Sequence, residues 1–168
     1  MNIKIRHETS SDIQSIEAVT IAAFRDAPHT GHNEHLIVQG LRDAGVLTLS
    51  LIAEQNGQTI GHLAISPVAL SDGKSGYFGL GPVSVLPDYQ SSGIGSKLIN
   101  HALEELKRMG ALACVVLGEP AYYARFGVKA DADLVLKGVP AEYFQVIKFT
   151  PHKTKSDVVY HSAFYIEG

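Results

Sequence analysis

A single cysteine, Cys114, is all that 168 residues offer, so no intrachain disulfide staples the chain. That thiol sits in the apolar run Leu112-Ala113-Cys114-Val115-Val116-Leu117, where it reads as a small buried hydrophobe and not as a nucleophile. Positive charge is also scarce: 14 Lys and Arg against 17 Asp and Glu leave a net charge of −3, which gives no basic field for nucleic acid or an anionic membrane. Neither is expected as a partner. No apolar run approaches the ~20 residues of a membrane span, and Met1 to Arg6 alternates like an edge strand where a signal peptide would carry an apolar core. A cytoplasmic location is expected. Internal repeats, low-complexity tracts and linkers are missing as well. With 45% hydrophobic residues the chain is long enough to bury one core, so residues 1–168 are expected to form one domain.

What is present reads as alternating helices and strands. Ile3 to Arg6 predicts a first strand, and Ser10 or Ser11 caps a helix carrying Ile13, Ile16, Val19, Ala22, Ala23 and Phe24 on one face, ended by Pro28. Leu36 to Ala44 predicts a shorter helix closed by Gly45. Val46 to Glu54 and Thr59 to Leu70 flank Gln55-Asn56-Gly57-Gln58, and Asn-Gly between apolar runs is a strong hairpin signal. Ser71 to Gly76 is a second turn. Tyr77 to Leu86 predicts a strand, followed by a long helix and a strand over Ala111 to Leu117, an arrangement that predicts a crossover joining a parallel pair. Asp131 to Lys137, Tyr143 to Phe149 and Asp157 to Ile166 predict late strands, with Pro140 and Pro151 at turns. The closing strand has two partners open to it, the sheet of its own chain or a second protomer. The class is α/β with a mixed sheet.

The densest signal runs from Leu80 to Leu98. Val83, Val85 and Leu86 read as a buried strand, Pro87 stops it, and Leu98, Ile99, Ala102, Leu103 and Leu106 recur at helical spacing. A helix therefore starts inside Gln90-Ser91-Ser92-Gly93-Ile94-Gly95. The first amides of a helix lack intrahelical partners and sit at its positive end, and missing side chains at Gly93 and Gly95 let phosphate oxygens approach them. Neither the Rossmann G-x-G-x-x-G nor the P-loop G-x-x-x-x-G-K-S/T is present. Lys97 brings an ammonium to the first turn.

This Gln-x-x-Gly-x-Gly spacing, after a strand and before a helix, resembles the acyl-CoA-binding motif of the GNAT N-acetyltransferase superfamily, with Gln90, Gly93 and Gly95 in its fixed positions. The order β-α-α-β-β-β-α-β resembles the GNAT fold over nearly the whole chain. The resemblance implies acetyl-CoA as cosubstrate, its pyrophosphate held by Gln90, Ser91, Ser92, Gly93, Ile94, Gly95, Ser96 and Lys97. It also implies that the two parallel strands splay and that the pantetheine arm bonds to the backbone of Val83, Ser84 and Val85. The implied reaction is acetyl transfer to a primary amine of a small molecule or peptide by direct attack in a ternary complex. The alternative is an acyl-CoA-binding regulatory or sensor module without turnover.

A second constellation follows at Pro120-Ala121-Tyr122-Tyr123-Ala124-Arg125-Phe126-Gly127, similar to the signature of a YhbS-like subgroup of predicted acetyltransferases. Pro120 suits the first position of a short helix and Glu119 its start. The family keeps a tyrosine four residues before a Gly-Phe pair. Tyr123 stands there relative to Gly127, and Val128 replaces the phenylalanine. The resemblance implies that Tyr123 protonates the departing CoA thiolate, and Tyr122, its helical neighbour, packs instead. Many members place a glutamate base on the strand before the loop, but Tyr77 to Leu86 holds no carboxylate. Glu119, Glu54, His62 or a water chain ending at backbone carbonyls and Ser84 remain. Glu119 reads first as a helix-start residue, and His62 as a solvent-facing side chain of the hairpin. His29, His32 and His35, with Glu34, have the look of a metal cluster, but Gly31 breaks their helix and no metal is expected. In the resembled fold that segment forms the lip of the substrate cleft. From the tail, His161, Ser162, Phe164 and Tyr165 are expected to close the acceptor side.

Overall fold

A computed structural model describes residues 2–28 and 30–166. In chain order the elements are β1 (Lys4–His7), α1 (Ile13–Phe24), α2 (Glu34–Asp43), β2 (Leu49–Gln55), β3 (Gln58–Pro67), β4 (Ala69–Leu70) and β5 (Tyr77–Val85). After these come α3 (Ile94–Arg108), β6 (Ala113–Leu117), α4 (Pro120–Tyr123), β7 (Lys129–Ala130), β8 (Leu134–Val135), β9 (Phe144–Lys148) and β10 (Ser156–Val159). The contacts divide into two compact units, one of Met1–Ile65, Gly81–Ala102 and Ser162–Gly168, the other of Ser66–Leu80 and Leu103–His161. No helix among the described residues is long and apolar enough to cross a membrane.

The first unit is a sheet ordered β1-β2-β3-β5 with helices on it. β1 runs antiparallel to β2, from Lys4 opposite Glu54 to His7 opposite Leu51. β2 returns as β3 through Asn56 and Gly57, whose φ values of 50° and 80° form the turn that matches strand twist. On one face Ile16 of α1 and Val38 of α2 pack with Ile52 and Ala64. On the other, Gly61 leaves room for α3: a Cβ there would lie 3.2 Å from both Ile94 and Leu98. Burial on both faces explains why Ile60 to Ser66 is fully buried and does not alternate.

Two expectations change in this unit. The cap of α1 is not Ser10 or Ser11: those residues form a 3-10 turn, Ser10–Asp12, and the Asp12 carboxylate accepts the Thr9 N–H at 2.7 Å. Asp12 also accepts from Arg6 Nη1 and Nη2 at 2.8 and 2.9 Å, an electrostatic gain that serine cannot supply. The closing strand stops at Val159. Ser162–Tyr165 is instead a 3-10 turn whose Ala163 packs on Ile37 and Leu41 of α2, while the Asn33 amide donates to the Ile166 carbonyl.

The Arg6 guanidinium, through its hydrogen bonds, holds the Asp12 carboxyl well below the usual carboxylate range. A lowered pKa means stability that is complete above the ordinary value near 3.8 and lost as pH falls below it. Asp12→Asn is therefore expected to cost about 1–2 kcal/mol at pH 7, discounted for the 27% exposure of the Arg6 side chain. Urea unfolding at pH 7 and pH 3 checks it, and the gap between variant and parent should narrow at the lower pH.

In the second unit β5 runs parallel to β6, Tyr77 opposite Ala113 and Gly79 opposite Val115, as expected for strands joined by a helix. β9 lies antiparallel on the other side of β6, and β7 pairs with β9. A smaller sheet is ordered β4-β10-β8. The strand expected over Asp131 to Lys137 shrinks to Leu134–Val135, because the Asp131 carboxylate and carbonyl accept the N–H groups of Asp133 and Leu134 and fold that stretch into a turn.

Candidate active site

The glycine loop lies in the first unit. β5 ends at Val85, Pro87–Tyr89 forms a 3-10 turn, and α3 starts at Ile94, inside the expected segment. The Gly93 carbonyl accepts the Lys97 N–H at 3.0 Å, which makes Gly93 the N-cap residue. Its φ of 87°, after Ser91 at 62°, is a conformation that glycine adopts without strain, and a Cβ there would meet nothing within 4 Å. The loop ties itself to the strand: Gln90 Nε2 donates to the Val85 carbonyl at 3.0 Å, and the Ser92 hydroxyl to the Tyr89 carbonyl. Gln90 and Ser92 therefore shape the cradle with their side chains. Gly93 and Lys97 are exposed, while Ile94 is buried.

Strand direction sorts the backbone of β5. Leu86 N–H donates to the Ile60 carbonyl at 2.9 Å, so Ser84 and Leu86 turn their backbone groups toward β3, and those of Val83 and Val85 turn the opposite way. The β5–β6 ladder, on that opposite side, ends at Gly79.

In the second unit Pro120 opens α4, and the Glu119 carbonyl accepts the N–H groups of Tyr122 and Tyr123, each at 3.1 Å. The Glu119 residue is exposed. Tyr122 and Tyr123 stand edge to face with ring centroids 5.0 Å apart, and Arg125 lies over the Tyr122 ring at 4.5 Å. Tyr123 rests against Gly118, where any Cβ would collide with its ring. Burial pushes the Tyr123 phenol up to about 12, so it holds its proton throughout the neutral range. Burial likewise pushes the Cys114 thiol up to about 12.

The Acetyltransferase (GNAT) family matches residues 14–128. The chain belongs to the GNAT acetyltransferase family. The uncharacterized N-acetyltransferase YhbS of Escherichia coli K12 is 35% identical over 129 residues, 76% of this chain and 74% of that protein. A GNAT acetyltransferase from Brucella melitensis, solved in complex with acetyl-CoA, is 46% identical with a TM-score of 0.87, covering 97% of this chain and 98% of that one. The structure of Escherichia coli YhbS in complex with CoA is 32% identical with a TM-score of 0.89, covering 100% and 94%.

Within this GNAT acetyltransferase the remaining candidates separate. His62 does not face solvent: it is fully buried, with Nε2 2.8 Å from the Ser50 hydroxyl. Glu54 is engaged by Arg6 Nε at 3.0 Å. Ser84 is 1% exposed, and its hydroxyl has no partner among the described residues. His32 takes a φ of 54° and His35 lies in α2, while His29 falls outside the described residues. Residue order alone did not bring out the polar chain Arg42–Glu8–Ser50–His62, whose members lie on four elements or their flanks. The one signal was an imidazole inside the otherwise apolar run Ile60 to Ile65.

Proposed function

We propose that this acetyltransferase moves the acetyl group of acetyl-CoA to a primary amine of a small molecule or peptide by direct attack in a ternary complex. The observation that carries it is the loop at Gly93: a positive-φ glycine caps the 15-residue helix that follows β5 and a 3-10 turn, and first-turn amides at a helix's positive end favour phosphate oxygens. The outward backbone groups of Val83 and Val85, past the end of the β6 ladder, supply partners for a pantetheine arm. Ser91, Ser92, Ile94, Gly95, Ser96 and Lys97 complete the cradle in this reading. The acetyl-CoA and CoA complexes of the Brucella and Escherichia relatives support the same cosubstrate. β5 and α3 each run from one compact unit into the other, which supports treating residues 1–168 as one catalytic domain, and the expected cytoplasmic location belongs to the same reading.

Tyr123 is the acid of the proposal. A half-buried, protonated phenol suits the moment when the tetrahedral adduct expels a thiolate. Glu119 contributes the start of α4. The carboxylate missing from β5 favours a second reading, an acyl-CoA sensor without turnover. Calorimetric titration with acetyl-CoA and free CoA, followed by thiol release over a panel of small amines, amino acids and peptides, separates the two. Cys114, buried and protonated, stays silent in that assay. Binding with amine-dependent release is expected. Binding without release would favour the sensor, and absence of binding would remove both.

A further inference from the structure

His62 is a buried imidazole whose hydrogen-bond roles follow from its neighbours. Glu8, beyond the end of β1, is held by Arg42 of α2 through Nε at 3.0 Å and Nη2 at 2.8 Å. Partial burial raises the Glu8 carboxyl, but hydrogen bonds from Arg42 and Ser50 outweigh it and bring the group below its ordinary value. Glu8 is therefore ionised at neutral pH and only accepts hydrogen bonds. The Ser50 hydroxyl must donate to Glu8 Oε1, and having spent its one proton, it accepts from His62 Nε2–H. The other ring nitrogen, Nδ1, is then a bare lone pair. It is buried and has no partner among the described residues.

The side chain that stands across from it is equally unserved. β3 and β5 run antiparallel: Leu86 bonds to Ile60 and Val68 to Tyr77, so partner numbers fall along β5 as they rise along β3. Leu86 opposite Ile60 puts Ser84 opposite His62, and a Cβ built on Gly61 would lie 3.2 Å from the Ser84 carbonyl, in agreement with that register. Paired residues share a face, so Ser84 Oγ, a buried donor, and His62 Nδ1, a buried acceptor, project from adjacent strands on the same side. They are not bonded to each other. At the far end of the chain, Glu8, Arg42 and Ser50 line an open pocket of about 280 Å³.

We propose that His62, oriented by Ser50 and Glu8, takes the proton that the acceptor nitrogen gives up, receives it through the Ser84 hydroxyl, and returns it to solvent at the Glu8 pocket. This rests on the proposed transfer reaction with the thioester beside Val83, Ser84 and Val85. The free amine attacks, forming the C–N bond, and the adduct nitrogen carries a positive charge that makes it far more acidic than a free alkylammonium. Its N–H bond breaks; a proton reaches His62 Nδ1 as the Nε2 proton moves toward Ser50 and Glu8. The C–S bond then breaks, and the thiolate takes one proton from Tyr123, which is restored from solvent. One proton lost by nitrogen matches one gained by sulfur. Glu8 just past β1, Arg42 of α2, Ser50 of β2 and Ser84 of β5 are the polar or charged groups identified around the ring. Burial lowers the His62 imidazole to about 4, which keeps Nδ1 unprotonated and ready at neutral pH.

Nitrogen-15 NMR of the labelled whole protein tests the arrangement directly: His62 should show protonated Nε2 and bare Nδ1 from pH 6 to 8, and the reversed tautomer would overturn the proposal. His62→Gln should lower kcat about 100-fold with acetyl-CoA affinity unchanged by calorimetry, using the fastest amine of the panel. Ser50→Ala, which keeps the imidazole and frees its orientation, should lower kcat about 10-fold and shift the population of the two tautomers. Both losses should shrink with weakly basic aromatic amines, whose adducts surrender the proton more readily. Unchanged kcat in a His62→Gln protein that still binds acetyl-CoA would refute the relay alone. Loss of binding in the parent protein would refute the transferase reading beneath it.

Discussion

Gly93→Glu is expected to lower acetyl-CoA affinity by about 100-fold or more while the protein stays folded, because one substitution places a carboxylate where the pyrophosphate is proposed to sit. Folding loses little. A Cβ at Gly93 meets nothing within 4 Å, so the cost is the strain of a φ of 87°, about 1 kcal/mol, and a carboxylate at a helix N-terminus recovers part of it. The same attraction works against the ligand: the glutamate answers the helix dipole from within the chain and repels the incoming phosphates. Gly93→Ala separates strain from charge. It carries the same backbone cost without the anion, and its affinity should fall by much less than that of the glutamate variant. Calorimetry with acetyl-CoA beside thermal unfolding reads both quantities. Tight binding by a folded Gly93→Glu protein would remove the cradle.

Local chemistry is what residue order made legible. The Asn56-Gly57 hairpin, Gly45 at the end of α2 and the start of α3 within Gln90 to Gly95 each depend on neighbours a few residues apart. The parallel β5–β6 pair followed from the strand-helix-strand order. Tail residues 162–165 went the other way. Their apolar positions serve a 3-10 turn on α2, a partner more than a hundred residues distant in sequence, and nothing local distinguishes that from a strand. His62 was misplaced for a related reason. A hairpin strand usually keeps one face wet, but β3 is covered on both, and its imidazole is made tolerable by Ser50, twelve residues earlier, and by Glu8 and Arg42 beyond it. Asp12 stands before α1 in place of the expected serine, its carboxylate held by Arg6 of β1, six residues earlier.

Tyr123→Phe is expected to lower kcat by about 1,000-fold and to leave acetyl-CoA affinity nearly unchanged, since the change removes one proton donor and no packing surface. The ring keeps its edge contact with Tyr122, its tilted contact with Phe126 and its seat against Gly118, so the short helix that carries it should not move. The phenol matters when sulfur becomes a thiolate. A donor that holds its proton up to about 12 delivers it there without ionising beforehand, so parent activity should show no loss from this group between pH 6 and 10. A leaving group that needs no proton bypasses the step. With an activated acetyl thioester whose thiol is far more acidic than that of CoA, the Tyr123→Phe deficit should shrink toward the parent rate, which a packing defect would not allow. Tyr122→Phe is the matched control: its ring sits under Arg125, and the variant should retain kcat within a few-fold. Equal deficits in both variants, or a Tyr123→Phe enzyme at full speed, would take the acid away from position 123.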